Sequence, residues 1–198
     1  MLRQSSKMII HLNGWPGTGK QTIGRELATR IGARLIHNHL LHDVAIVCCG
    51  RTTPERWELY EKIRAPVYEY LRKVPPSETL VMTNALCNRS EREVRAWAYV
   101  VELAISRDVP LIPVILQVEL SENIRRLRSA ERSNKLRDPV VLESYLSIDS
   151  IQQPDVPELL LLDATALSPE QAATQILQHV ENVREWVRPA TEKHQSFR

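Results

Sequence analysis

Cysteine is scarce in this chain of 198 residues, which contains only Cys48, Cys49 and Cys87. An odd number of cysteines without the spacing of a framework argues against a disulfide scaffold. Two adjacent cysteines and a distant third also make a poor zinc site. We therefore expect these cysteines to be small buried side chains in a reducing compartment.

Long apolar runs and a strong net charge are also missing. No run of about 18 apolar residues is present, so no membrane span is expected. The apolar run at 8–12 is too short for the core of a signal peptide, which predicts a cytoplasmic location. A net charge of +2 is too small to indicate a nucleic-acid partner, and an aromatic content of 5% argues against stacking on bases.

The length and an ordinary composition, with 43% hydrophobic and 25% charged residues, predict one soluble domain over 1–198. Short apolar segments that read as strands alternate with helical patterns. This alternation predicts an α/β fold with a parallel sheet covered on both faces. The expected strands lie at 7–13, 34–36, 79–85, 111–119 and 159–165.

Three serines mark expected helix starts. Ser90 with Glu93, and Ser168 with Gln171, have the spacing of a capping box, and Ser121 is expected to cap a helix that runs into a basic segment. The helix after Ser90 is expected to bury one face, made of Val94, Trp97, Ala98, Val101 and Ile105.

The clearest motif is 14-GWPGTGK-20, which fits the pattern G-x-x-x-x-G-K. In such a loop the glycines let backbone N–H groups form an anion cradle, the following helix adds its positive end, and the lysine reaches the β- and γ-phosphates. Because the motif follows a strand and opens a helix, it predicts a nucleotide-binding loop. The expected nucleotide contacts are Gly14, Trp15, Pro16, Gly17, Thr18, Gly19, Lys20, Gln21 and Thr22.

Gln21 stands where the usual loop has a hydroxyl that ligates magnesium, and the hydroxyl comes one residue later, at Thr22. In this the loop resembles the nucleoside monophosphate kinases of the adenylate kinase type, which carry Gly-Lys-Gly-Thr. In those enzymes the second hydroxyl contacts the α-phosphate, and magnesium is held largely by phosphates and water. The resemblance implies a working loop for ATP and Mg²⁺, with no protein ligand for the metal.

Beyond the loop the chain resembles the P-loop small-molecule kinases, with shikimate kinase and chloramphenicol phosphotransferase as the nearest patterns. The similar stretches are TIGRELATRIGARLIHNH, SAERSNKLRDPVVLESYL and LLLLDATALSPEQAATQIL. The resemblance implies a three-layer P-loop fold with five parallel strands in the order 2-3-1-4-5. It also implies a helical acceptor-binding segment at about 38–75 and a lid at about 125–142.

The chain is similar, too, to uncharacterised bacterial AAA-type ATPases with kinase-like sequences. The shared features are a His-Asn-His after the second strand and a Lys-Leu-x-Asp-Pro in the lid. This similarity carries little functional information.

The stretch 37-HNHLLHD-43 departs from shikimate kinase, which has Asp-x-Asp where this chain has His37 and His39. The second aspartate there meets the substrate hydroxyl, so its loss argues against shikimate as the acceptor. His39 is a candidate proton acceptor, and Asp43, one helical turn later, is a second candidate base. The alternative is that these side chains cap and pack the start of a helix. A metal site made by His39, His42 and Asp43 is not favoured.

Two arginines and two polar residues are candidates for the site because of their position in the chain alone. Arg56 and Arg64 lie in the acceptor-binding segment, where they are expected either to pair with an anionic acceptor or to be solvated helix charges. Thr83 and Asn84 end the third strand and are expected to face the site, since ligands bind at the carboxyl ends of parallel strands.

The segment 125–137 holds six basic residues and one acidic residue. A kinase needs cations that close over the transferred phosphoryl group, which predicts a lid here; the alternative is a solvated basic helix. By position, Arg128 resembles the arginine that packs on adenine in shikimate kinase. Arg132 and Arg137 are candidates for contact with the γ-phosphate.

These patterns predict ATP-dependent phosphoryl transfer to a small-molecule hydroxyl or phosphate. The expected partners are ATP and an unidentified acceptor, without nucleic acid or membrane, in a monomer or a homodimer. The alternative is a nucleotide-binding regulatory or resistance protein with weak or no ATPase activity. The expected catalytic residues are Lys20, His39, Asp43, Arg132 and Arg137.

Overall fold

The structure is a computed structural model that describes residues 7–129 and 136–187, with side chains up to 183. Strands and helices alternate as the apolar pattern predicts. The strands are β1 (Ile9–Asn13), β2 (Arg34–His37), β3 (Leu80–Thr83), β4 (Leu111–Gln117) and β5 (Leu160–Asp163). The helices are α1 (Lys20–Ile31), α2 (His39–Cys49), α3 (Glu55–Arg72), α4 (Glu91–Arg107), α5 (Leu120–Leu127), α6 (Pro139–Ile148) and α7 (Pro169–Val187).

The five strands form one parallel sheet in the order β2-β3-β1-β4-β5, which confirms the predicted topology. The central strand β1 pairs with β3 on one side and with β4 on the other, so that Ile9 stands in register with both Leu80 and Leu111. The strand order changes direction at β1, because β3 and β2 lie on one side of it and β4 and β5 on the other. Ligands bind in the crevice at the carboxyl ends of strands beside such a reversal.

Alternate residues of β1 serve the two faces of the sheet. Ile10 and Leu12 pack with α1 and α7 in one core cluster, while Ile9 packs with α3 and α4 in the other. This arrangement explains why the strands read as continuous apolar runs: both faces are covered by helices. Between Ile10 and Leu12 lies His11, which is also buried.

The serine predictions have different outcomes. Ser168 and Gln171 form the expected reciprocal box, with backbone-to-side-chain distances of 2.8 and 3.2 Å. The box at Ser90 is wrong, because Glu93 accepts from the backbone N–H of Cys87 at 2.7 Å instead. The cap at Ser121 is also wrong, because α5 already begins at Leu120.

The predicted buried face of α4 is wrong in part. Val94 and Ile105 are exposed, and the residues that α4 buries are Ala96, Val100, Leu103, Ala104 and Arg107. Helix α4 packs against β1, β3 and α3 through Val100, Leu103 and Ala104. Trp97 is half-buried and reaches His11, with ring centroids 5.2 Å apart.

A helix that the sequence pattern does not indicate overlaps the end of the predicted lid. Helix α6 starts after Asp138, whose side chain accepts a hydrogen bond from the backbone N–H of Val140 at 2.9 Å. The ring of its Tyr145 lies nearly parallel to that of Trp15 in the glycine-rich loop, with ring centroids 6.3 Å apart. Residues 130–135, and with them the predicted site residue Arg132, lie outside the described residues. Within the described ranges, no helix is long and apolar enough to cross a bilayer.

Candidate active site

The glycine-rich loop joins β1 to α1 and packs closely against α5. Gly17 has a φ of 98°, and a Cβ atom on it would lie 1.9 Å from Asn123 Oδ1. Only glycine fits both the backbone conformation and this space. Thr18 donates its hydroxyl to the carbonyl of Trp15 at 3.0 Å, which closes the turn. The loop therefore has the tight backbone curve that an anion cradle needs.

Lys20 lies across the mouth of this loop. Its Nζ donates to the carbonyls of Gly14 at 2.5 Å and Trp15 at 2.7 Å. Phosphate oxygens are stronger acceptors than carbonyl oxygens, because the bond is then assisted by charge on both sides. The lysine is thus positioned to exchange these carbonyls for a bound phosphate.

Asn13, the last residue of β1, ties three segments together and was not singled out from the sequence. Its Oδ1 accepts from the backbone N–H groups of Gly14 at 2.9 Å and Leu86 at 2.7 Å. Its Nδ2 donates to the carbonyls of Leu86 at 3.1 Å and Gln152 at 3.3 Å. The start of the loop is therefore fixed to the segments after β3 and after α6.

A cavity of about 270 Å³ opens beside the loop, at the carboxyl ends of β2 and β3. It is bounded by the loop, by α2 and α3 on one side and by the start of α4 on the other. The polar and aromatic residues that line it include Lys20, Gln21, Thr22, Asn38, His39, His42, Trp57, Tyr60, Arg64, Thr83, Asn84, Arg92 and Glu93.

An aromatic wall forms one side of this cavity. His42 stacks on Tyr60 with ring centroids 4.2 Å apart, and Trp57 meets both rings edge-on. The guanidinium of Arg92 lies 3.7 Å from the Trp57 centroid, while that of Arg56 lies 4.2 Å from it. Burial above all, together with the charges of His39 and nearby arginines, lowers the pKa of His42 to about 3, so this ring is neutral at neutral pH.

Arg64 is a buried cation in the cavity wall, and its side chain is only 2% exposed. One of its nitrogens is paired with Glu61, and its guanidinium lies 4.7 Å from the Tyr99 ring centroid. Nε and Nη1 are buried and make no hydrogen bond within the described ranges. Buried donors without partners are costly, so the described residues satisfy this guanidinium in the cavity wall only in part.

Asn84 presents a donor to the cavity because His11 holds its other end. His11 Nε2 lies 3.0 Å from Asn84 Oδ1. Burial lowers the pKa of His11 to about 4, so the neutral ring donates this hydrogen bond at neutral pH. The Nδ2 group of Asn84 has no hydrogen-bond partner in the described part of the chain.

The two candidate bases lie in different places. His39 lines the cavity, whereas Asp43 is not among its described lining residues. Asp43 Oδ1 lies 3.8 Å from His39 Nδ1, which is beyond hydrogen-bond distance. Arg56 stands behind Trp57 rather than in the lining.

The arginine that lies beside the glycine-rich loop is Arg126, which the sequence pattern does not single out. It donates to the carbonyls of Ala164 at 2.8 Å and Thr165 at 2.9 Å, in the segment after β5. Its Nη1 would lie 3.8 Å from a Cβ atom on Gly19. Arg128 and Arg137 are exposed, and their proposed contacts with adenine and the γ-phosphate stay predictions.

The donors present fit a nucleotide with magnesium held by its own phosphates. The loop offers a cradle that side chains would fill, with Lys20 at its mouth. Within the described ranges, no group of three or more His, Cys, Asp or Glu side chains could hold a metal ion. That ATP phosphates and water hold Mg²⁺ stays a prediction from the resemblance to kinases of the adenylate kinase type.

The chain is similar in sequence to shikimate kinases. No family model matches the chain. The shikimate kinase of Corynebacterium efficiens is 27% identical over 190 residues, covering 89% of this chain and 99% of that protein.

Solved structures of two kinases share the fold. A gluconokinase from Sinorhizobium meliloti has a TM-score of 0.60 at 20% identity, covering 94% of this chain and all of that one. The shikimate kinase of Acinetobacter baumannii, solved with shikimate, has a TM-score of 0.57 at 18% identity, covering 91% and 96%. The predicted resemblance to P-loop small-molecule kinases is therefore confirmed, and the chain has their fold.

Proposed function

We propose that this protein transfers the γ-phosphoryl group of ATP to a small-molecule acceptor that carries an anionic group. The observation that supports this most directly is that Lys20 and Arg64 line one cavity. Lys20 lies at the mouth of the phosphate loop, whereas Arg64 lies on α3 as a buried cation of the cavity wall, whose charge an anionic group of the acceptor would balance. One cavity thus holds a cation for each of two anionic substrates.

The loop and the cavity divide the work of transfer. The loop amides and Lys20 bind the β- and γ-phosphates and stabilise the charge that spreads over the transferred group. Mg²⁺, when bound, would supply positive charge that offsets the negative charge of the ATP phosphates. Arg64 and Arg92 would hold the anionic group of the acceptor, which orients it toward the γ-phosphate. His39 is our candidate contact to the group that receives the phosphoryl.

A panel of acceptors tests this function. The protein with ATP and Mg²⁺ would be given gluconate, shikimate or AMP, and ADP release would be followed against a control without acceptor. We expect at least one of these acceptors to raise ADP release and to yield a phosphorylated product by ³¹P NMR. ADP release that no acceptor changes would contradict a kinase.

The role of Arg64 has its own test. Replacing Arg64 by Met should raise the KM for the acceptor roughly 100-fold, since a buried charge-assisted contact is worth about 1.5–3 kcal/mol. The KM for ATP should stay within about twofold, because the loop does not use Arg64. Arg72→Met is a matched control, since Arg72 is an exposed arginine of the same helix that pairs with Glu102.

A second candidate function is a nucleotide-binding regulatory or resistance protein that turns over ATP weakly or not at all. Gln21 favours it, because the side chain at this position in the cavity wall is an amide and not a hydroxyl. ATP binding by titration calorimetry, combined with no transfer to any acceptor, would support this function over the kinase.

A further inference from the structure

Glu93 is the one carboxylate among the described residues that line the cavity. The other ionised groups there are the cations Lys20, Arg64 and Arg92. A carboxylate among cations would repel a phosphate group brought next to it. Its presence therefore favours an acceptor that places a neutral group, and not a second anion, beside Glu93.

The two oxygens of Glu93 have different surroundings. Oε2 accepts from the backbone N–H of Cys87 at 2.7 Å and from its thiol at 2.6 Å. Oε1 makes no hydrogen bond within the described ranges and lies 3.7 Å from Arg92 Nη2. One oxygen thus fixes the side chain, and the other is left for a ligand.

Cys87 keeps this arrangement in place. Burial above all, together with the neighbouring Asp149 and Glu93 carboxylates, raises the pKa of its thiol to about 12, so the thiol stays protonated and remains a donor. Cys87 also forms a β-bridge with Ile151. The carboxylate is therefore held by a segment that is itself fixed, rather than capping its own helix.

We infer that Glu93 is a catalytic residue that accepts the proton of a hydroxyl group on the acceptor. This rests on the proposed kinase function and narrows its acceptors to molecules with both a hydroxyl and an anionic group, which Arg64 binds. The hydroxyl oxygen forms the new bond to the γ-phosphorus, and the bond from that phosphorus to the β–γ bridging oxygen breaks. That electron pair leaves on ADP, and the hydroxyl proton passes to Glu93 Oε1 and then to water.

A hydroxyl acceptor needs such a group, whereas a phosphate acceptor does not. A hydroxyl is protonated at neutral pH and must lose its proton during transfer, while a phosphate monoester is already an anion. His39 is an alternative proton acceptor in the same lining, with Asp43 behind it. Separate variants of Glu93 and His39 distinguish the two.

The test compares Glu93→Gln with wild type on gluconate, shikimate and AMP. Glutamine keeps the size and an oxygen for Cys87 but cannot take the proton. We expect kcat for a hydroxy acid to fall about 100-fold or more, while the KM for ATP and the affinity for ADP stay within about twofold. Glu91→Gln is the matched control, since Glu91 lies on the same helix with a side chain that is 94% exposed.

Each outcome decides a different claim. Transfer to a hydroxy acid that Glu93→Gln leaves within about threefold of wild type would overturn the role of Glu93 and keep the kinase. A loss of rate in His39→Ala, with no loss in Glu93→Gln, would also overturn the role of Glu93 and keep the kinase. Transfer only to the phosphate of AMP, which gives ADP, would overturn the hydroxyl acceptor. No transfer to any of the three by wild type would overturn the proposed function, and this role with it.

Discussion

Single side chains in the cavity have charges and partners that lead to testable consequences. Lys20 is the clearest case, because its Nζ lies on the carbonyls of Gly14 and Trp15 at the mouth of the loop. A charge-assisted contact to phosphate is worth about 1.5–3 kcal/mol, and a contact that strengthens in the transition state adds to catalysis.

Lys20→Ala should therefore weaken ATP binding by roughly 10- to 100-fold and lower transfer further, while the fold is kept. Titration calorimetry with ATP and circular dichroism measure the two effects. Lys62→Ala is the control, because Lys62 is an exposed lysine on α3 that pairs with Glu58. Equal ATP affinity in wild type and Lys20→Ala would remove Lys20 from the nucleotide site.

At the scale of elements, the candidate active site depends on hydrogen bonds that join separate loops. Asn13 joins the end of β1 to the segments after β3 and after α6 through four hydrogen bonds, to Gly14, to Leu86 twice and to Gln152. An asparagine can fill this role because its amide offers donors and an acceptor at one point. A strand residue of β1 thus sets the relative position of loop and cavity.

Asn13→Ala should lower the free energy of unfolding by about 3 kcal/mol, since it leaves several buried backbone groups without partners. Urea unfolding measures the loss. Asn88→Ala is the control. Asn88 also lies after β3 and its side chain donates to Ser150, after α6, at 2.8 Å, but it is exposed. We expect that change to cost less than about 1 kcal/mol. Similar losses in both variants would contradict the role of Asn13.

At the scale of the whole molecule, two buried neutral histidines link stability to pH. Burial lowers the pKa of His11 to about 4 and that of His42 to about 3, with Lys20 acting on the former and His39, Arg56, Arg92 and Arg64 on the latter. In the unfolded chain both titrate near about 6.5. The unfolded state therefore binds more protons between about pH 6.5 and pH 4, and stability falls as the pH falls through that window.

The expected loss is up to about 1.4 kcal/mol per pH unit for each histidine. Urea unfolding at about pH 7 and about pH 5.5 measures it. His11→Asn should reduce this dependence by about half, because one of the two groups no longer titrates. A pH dependence that is the same in wild type and His11→Asn would show that His11 is not held neutral by the fold.

The sequence by itself determined the fold and the nucleotide loop, because both depend on local patterns. Apolar runs between helical stretches require a covered parallel sheet, and a glycine-rich turn with Lys20 between a strand and a helix has one common use. The box at Ser168 and Gln171 is likewise local, and it forms as predicted. The similarity to AAA-type ATPases stays a prediction.

Tertiary structure alone decided which residues meet in the cavity. Glu93 has the spacing of a capping box with Ser90, yet its carboxylate bonds Cys87, which a fixed loop brings closer. Arg64 reads as one of several helix charges, and only packing under Tyr60 and Tyr99 makes it a buried cation. The spacing of residues along a helix gives the face they share, but burial and partners depend on segments distant in sequence, whose approach no local pattern encodes.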